Sequence, residues 1–226
     1  MSVHLFRLKL KSIFKRQNAN IALLFVLLIG LSHHANAGTL ANALVENEKQ
    51  TSDIRIVALA PHIVEMLFDI GAGEHIVGAV DYADYPEQAN KIPRVGGYYG
   101  LQVEQLLALK PDLVLAWKTG NKLSDLEKLE RLGLNVAYSE PKAIEDVANE
   151  LRYFGQLTGF EQGADKAAKL FTDKLTNIRE KNKNKQPIAT FYQLWSEPMM
   201  TVNRNTWIDQ LMAICQAKNV FADNPV

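Results

Sequence analysis

Residues 107–117 read LALKPDLVLAW, and the fold turns on how that stretch divides. Pro111 lacks an N–H and restricts the residue before it, so the helical run LALK must stop there. The segment after the proline, DLVLAW, is a short apolar run of the kind that a parallel sheet buries on both faces. It ends on Trp117, immediately before the polar loop KTGN (118–121). A large ring at that place has two readings: core packing, or one wall of a crevice. Open parallel sheets bind ligands beyond the carboxyl ends of their strands.

On either side the chain alternates in the same way. RIVALA (55–60) is a strand stopped by Pro61, and HIVEMLFDIGAG (62–73) sets Ile63, Met66, Leu67 and Ile70 on one helical face before glycines close it. HIVGAV (75–80) is a second strand, DYADYPEQANKIPRVGGYYG (81–100) a turn-rich connection, and LQVEQLLAL (101–109) a short helix. After the third strand, KLSDLEKLERLG (122–133) is a helix closed by Gly133, and LNVAYS (134–139) is a fourth strand. IEDVANELRYFGQLTG (144–159) carries Ile144, Val147, Leu151 and Phe154 in helical register. Strands alternating with helices predict an α/β lobe over 55–160 with a mostly parallel sheet.

The rhythm then breaks. Residues 161–183 hold Ala164, Ala167, Leu170, Phe171, Leu175 and Ile178 at helical spacing without a turn signal, long enough to run from one lobe to the start of another. A linking helix is expected over 161–185. Beyond Pro187, IATFYQLW (188–195) reads as a strand and WIDQLMAIC (207–215) as a helix. One strand and one helix cannot close a core, so 186–226 is expected to be the start of a second α/β lobe, incomplete in this chain.

The 226 residues are 47% hydrophobic and 22% charged, globular proportions. Residues 1–37 stand apart. Arg7, Lys9, Lys11, Lys15 and Arg16 precede the apolar run IALLFVLLIGL (21–31), which is too short to span a bilayer comfortably, and Ala35-Asn36-Ala37 supplies a small-x-small cleavage pattern. A cleavable signal peptide is expected there, with an uncleaved anchor as the competing reading, followed by a polar, flexible leader over 38–54. Without residues 1–37 the chain holds 20 Lys+Arg against 25 Asp+Glu, a formal −5 that argues against nucleic-acid binding. Cys215 is the sole cysteine, which excludes an intrachain disulfide, and its apolar helical setting predicts a buried free thiol.

Several chemistries fail on inventory. GAGEHIVG (71–78) closes a helix and enters a strand, the reverse of a phosphate-cradling loop. Of five histidines only His62 and His75 fall outside residues 1–37, and no cysteine pair exists, so no metal site is expected. His62 comes after the first strand and can face the crevice, although a solvated helix-start histidine is the plainer reading. There is no G-x-S-x-G elbow, and Asp81, Asp84, Glu104 and Glu197 have no base beside them in sequence, so no catalytic residue is assigned. An exported enzyme stays open only through spatial pairing.

The aromatic residues have a positional logic. Tyr82 comes after the second strand, Tyr98 and Tyr99 lie in the long connection, Trp117 ends the third strand and Trp195 ends IATFYQLW, while Trp207 reads as helix packing. Flat rings with polar tips delivered to one sheet edge suit a large, flat, amphipathic ligand. Trp117→Ala is accordingly expected to weaken binding far more than folding.

The block LAPHIVEMLFDIGAGEHIVGAVDYADYPEQANKIPRVGGYYGLQVEQLLALKPDLVLAW (59–117) resembles the N-terminal lobe of class III periplasmic substrate-binding proteins. The likeness rests on Pro61 with Glu65 four residues on, D-Y-P (84–86), I-P-x-V-G (92–96) and L-K-P-D-L-V before the tryptophan. It is similar in particular to the receptors that bind cobalamin, vitamin B12, for an ABC importer. The resemblance implies a two-lobed fold with a single long linking helix, a periplasmic, monomeric, non-catalytic receptor without a cofactor of its own, cobalamin or a related corrinoid as ligand, and delivery to ABC permease subunits. Receptors for ferric siderophores and haem share the scaffold and stand as alternatives. By motif position the corrin-flanking aromatics fall on Tyr82, Tyr98 and Trp117, with Trp195 as the second-lobe candidate near QLWSEP. Tyr98 stands where tryptophan is found in a cobalamin receptor, which shrinks the packing area. Glu104 matches the first-lobe permease-docking glutamate, its counterpart being expected beyond Val226. Val64 replaces the usual threonine, removing a hydroxyl near the cleft.

Overall fold

The computed structural model describes residues 53–225; the expectations for the signal peptide and for residues 38–52 of the leader lie outside them. Ile54, at the end of that leader, packs against the first core.

Strands β1 (Ile56–Ala58), β2 (Ile76–Ala79), β5 (Leu113–Trp117) and β6 (Val136–Ser139) form one parallel sheet in the order β2-β1-β5-β6. Between β2 and β5 the chain makes a small antiparallel hairpin, β3 (Gly96–Gly97) with β4 (Gly100–Leu101). Successive strand side chains point to opposite faces, which splits the apolar residues into two cores. Ile56, Ala58, Leu113, Leu115 and Ala137 pack under α1 (Pro61–Asp69), α4 (Asp146–Thr158) and the start of α5 (Glu161–Asn182). Val57, Leu59, Val114 and Ala116 pack under α2 (Val103–Ala108) and α3 (Leu123–Arg131) through Val103, Leu106, Leu126 and Leu129. The result is the expected α/β architecture, a sheet covered on both faces. Truncating Leu115, which has no exposed surface, would cost about 2–5 kcal/mol.

Local chemistry sets the helix limits. Pro61 takes the first position of α1, where a missing N–H removes no hydrogen bond. Val64, the departure from threonine, is fully buried in the first core, so its second methyl fills packed space. α5 runs 22 residues, about 33 Å at ~1.5 Å per residue. Ala164 and Ala168 of its first half are fully buried. Its far end ion-pairs Arg179 with Glu145, and Asn182 Nδ2 donates to Ile214 O at 3.2 Å.

Past α5 the structure departs from the sequence reading in two places. IATFYQLW is not one strand. Only β7 (Ile188–Thr190) finds a parallel partner, the three-residue β10 (Ala217–Asn219). The chain then leaves the ladder, and β8 (Trp195–Ser196) pairs instead with β9 (Met199–Met200) across Glu197 and Pro198. Cys215 is exposed, not buried. It comes just after α6 (Trp207–Ile214), four residues beyond Leu211, so the two share a face, and Leu211 is 52% exposed; Met212 is the buried residue of that helix. Trp207 is half-buried, its indole N–H donating to Pro141 O at 3.3 Å.

Candidate functional site

The sheet order locates the crevice. β1 connects to β2 on one side, and the chain then crosses to β5 on the other, so the switch point lies beyond the ends of β1 and β5. α1 springs from the end of β1, and Trp117 is the last residue of β5.

Trp117 is 40% exposed while the four strand residues before it are buried. Asn121 holds this rim: its Oδ1 accepts the Trp117 N–H at 2.7 Å, and its Nδ2 donates to Leu59 O at 2.7 Å, joining the ends of β5 and β1. At Gly120 an added Cβ would stand 1.9 Å from indole Cε3, so the ring rests on bare backbone. The His62 imidazole meets the indole edge to face, with centroids 5.3 Å apart.

Tyr82 comes after β2 with φ +64° and is 83% exposed. A bulky residue in the left-handed region is strained, and no burial of its side chain repays that strain. Arg94 braces the turn by donating to Val80 O at 3.2 Å and Ala83 O at 2.9 Å. Tyr98 and Tyr99 form the two-residue tip of the β3–β4 hairpin, T-shaped at 5.6 Å and 86% and 93% exposed. Positive φ falls on Gly96 and Gly100, in the hairpin's arms, and not on the tip, which leaves the tip free for large side chains. Asp81 N–H donates to Gly96 O at 2.8 Å, placing the Tyr82 turn beside this hairpin, and Leu101 N–H donates to Asp125 Oδ2 at 3.0 Å, tying the hairpin to α3.

Trp195 stands apart. It is 62% exposed on the separate β8–β9 hairpin and makes no ring contact among the described residues. Glu104, in the first turn of α2, is a rim carboxylate with Lys128 Nζ at 3.6 Å. Its own helix-start N–H and Lys128 hold its pKa below the ordinary value.

The plainer sequence reading of His62, a solvated helix-start residue, holds for its place at the start of α1 but not for its exposure: the ring is half-buried and belongs to a cluster that sequence reasoning did not assemble. Nε2 of His62 lies 3.1 Å from Ser139 Oγ, whose hydroxyl donates to Glu150 Oε2 at 2.7 Å, while Oε1 accepts the Glu140 N–H at 2.7 Å. Burial lowers the His62 pKa. Burial also raises that of Glu150, outweighing the opposing hydrogen bonds from Ser139 and Glu140. Ser139 sits directly opposite Trp117 in the β5–β6 register, and Leu113, Leu115 and Trp117 alternate onto the face of α1 and α4. That parity was available in the sequence as the signal for this cluster. His75 lies at the other end of the sheet, against Phe160 at 5.1 Å, and among the described residues no cluster of three metal-ligating groups occurs.

Two concavities lie elsewhere. One of about 420 Å³ is lined by Ile144, Arg179, Lys183 and Gln210, and one of about 290 Å³ by Met66, Leu151, Phe171 and Lys174. Neither touches the aromatic rim, which is an open edge. The rim has the stronger claim to function, since it combines strained backbone with exposed rings.

An open parallel sheet with an aromatic rim at its switch point is the frame of a ligand-capturing lobe. Residues 56–225 match the family described as periplasmic binding protein, and the chain belongs to that family. It is 34% identical over 185 residues to the vitamin B12-binding protein of Vibrio parahaemolyticus serotype O3:K6, covering 82% of this chain and 64% of that one. It is 35% identical over 172 residues to the vitamin B12-binding protein of Yersinia pestis strain Pestoides F, covering 76% and 61%. The chain thus spans less than two thirds of the length of these curated relatives. Among solved structures it is similar to the periplasmic vitamin B12-binding protein BtuF of Vibrio cholerae, with TM-score 0.71 and 34% identity over 76% of this chain and 68% of that one. It is also similar to the periplasmic heme-binding protein RhuT of Roseiflexus sp. RS-1, with TM-score 0.67 and 26% identity over 76% and 68%.

Proposed function

We propose that this chain is a periplasmic, non-catalytic receptor that captures cobalamin or a related corrinoid and delivers it to the permease of an ABC importer. The observation that carries the reading is Tyr82, strained and 83% exposed, beside a rim that also offers Tyr98 and Trp117. Such an arrangement suits a broad, flat ligand that buries aromatic area at little rotamer cost. The vitamin B12-binding names of the relatives at 34–35% identity support the same ligand. Trp195 belongs to this site as a facing wall, across a cleft whose two sides are the 55–160 lobe and the segment after α5. Glu104 is the docking carboxylate, since a rim charge guides encounter with a cationic partner. The receptor acts as a monomer.

A second reading, a haem receptor of the same fold, has support in the 26% identity to RhuT and in the smaller ring at Tyr98. Titrating the chain with cyanocobalamin, haem and a ferric siderophore while following tryptophan emission separates these readings. Saturable quenching by cyanocobalamin, reduced in Trp117→Phe, is the expected result. Quenching by haem or the siderophore without any by the corrinoid would sink it. Mass spectrometry of recovered ligand is expected to find it unaltered, and turnover would revive the enzyme reading.

A further inference from the structure

His62 sits at the switch point with its ring held from two directions. Ser139 has one hydroxyl proton, and that proton goes to Glu150. Ser139 can therefore only accept from His62, which makes Nε2 the protonated nitrogen and leaves the lone pair of the neutral ring on Nδ1. On its other side the imidazole bears on the Trp117 indole, with centroids 5.3 Å apart and planes at 88°. The indole in turn rests on the Gly120 backbone, where no side chain fits. The indole thus has two bearings, and one of them is titratable.

We propose that His62 is the positioning residue for Trp117: the Ser139–Glu150 pair seats the imidazole, and the imidazole sets the angle at which the indole faces the crevice. The consequence for binding rests on the receptor reading above, whereas the positioning is a property of the unliganded chain.

The charged groups on the elements around His62 are Glu150 and Asp146 of α4, the Lys118–Glu140 ion pair after β5 and β6, and Glu65 on its own helix. A second proton, on Nδ1, would place a cation in a half-buried setting and add a donor for which no acceptor is found among the described residues. The ring is then drawn toward water, and the indole loses a bearing. Burial, which already lowers the pKa of His62, opposes that proton.

The test tracks the emission of Trp117 alone, taken as the difference between the unmodified chain and Trp117→Phe, from about pH 7.5 to about pH 4.5. The expected result is a transition with its midpoint below the ordinary imidazole value of 6.5, distinct from any step that Glu150, whose pKa burial raises, adds toward the acid end. It should be absent in His62→Gln, whose amide still donates to Ser139 but does not titrate. In Ser139→Ala, which keeps a titrating imidazole but removes its seat, the midpoint should move. A flat profile in the unmodified chain, the same transition in His62→Gln, or an unmoved midpoint in Ser139→Ala would each overturn the proposal. Cyanocobalamin affinity supplies the second arm. If only the neutral form is competent, Kd should rise between about pH 7.5 and 5.5 by less than about tenfold, the ceiling for an unshifted imidazole, and His62→Gln should show no such dependence. Absence of cyanocobalamin binding at both pH values would refute the cobalamin reading while the emission titration still decides the role of His62.

Discussion

The Trp117 indole and the His62 imidazole meet edge to face, 5.3 Å between centroids, at the point where β1 and β5 stop being core. One ring comes from a strand end and the other from a helix start. Their contact therefore reports the geometry of the sheet edge itself.

Trp117→Ala divides its cost. About 40% of a ring of ~250 Å² is exposed, so a ligand can bury at most about 100 Å², worth ~2.5 kcal/mol or about 70-fold in Kd. The packed remainder, ~150 Å², is worth about 3–4 kcal/mol of folding. The expectation that binding would suffer far more than folding is thereby revised to comparable losses. Urea unfolding beside cyanocobalamin titration measures both, and an unchanged unfolding midpoint would contradict the packing seen at Gly120 and His62.

Tyr82 separates the two effects more cleanly. Tyr82→Asn puts a residue that tolerates the left-handed region at φ +64° and removes a side chain that is 83% exposed. Stability should hold or rise by up to about 1 kcal/mol, while cyanocobalamin affinity falls. Thermal unfolding that shows a clear loss would mean that the tyrosine ring supports the fold.

For Glu104→Ala, ligand affinity and melting temperature should match the parent, because the pair with Lys128 is an exposed one. On the receptor reading, vitamin-dependent growth of a strain relying on this protein should slow. Equal growth would count against the docking role.

Glu65 has a raised pKa from burial first, then from the charges of Asp69 and Asp84. A carboxylate whose folded pKa is raised contributes stability below its unfolded value and loses it as pH rises through the folded one. Glu65→Gln should therefore match the parent near pH 3 and become the more stable form toward pH 7, within about 0.5 kcal/mol. Added salt should narrow the gap through the two aspartates. Melting curves across pH decide it, and an advantage confined to acid would reverse the sign.

Most of residues 55–160 was legible because the signals there are local. Pro61 and Pro111 mark strand–helix boundaries, Gly133 and Gly159 adopt left-handed angles at helix ends, and the four apolar runs match the four strands of the parallel sheet, while the β3–β4 hairpin, two residues a side, left no apolar signal. The segment after α5 was harder to read. IATFYQLW has the composition of a strand throughout, but a strand extends only as far as a partner offers a ladder, and β10 offers three residues. Cys215 was misread for a related reason: an apolar period shows which residues share a face, not whether anything covers that face. His62, Ser139 and Glu150 come from three separate elements, so their meeting needed the sheet order as well as the strand parity.

The β3–β4 hairpin has a further consequence. Its positive-φ angles fall on Gly96 and Gly100, and its own main chain makes the anchoring bonds, Gly96 O accepting from the Asp81 N–H and Leu101 N–H donating to the Asp125 carboxylate, so nothing in either core depends on what stands at positions 98 and 99. The tip is an exchangeable cartridge. Tryptophan can replace tyrosine there without renegotiating the fold that carries it, and on the receptor reading proposed above that exchange alone would change the ring area offered to a flat ligand.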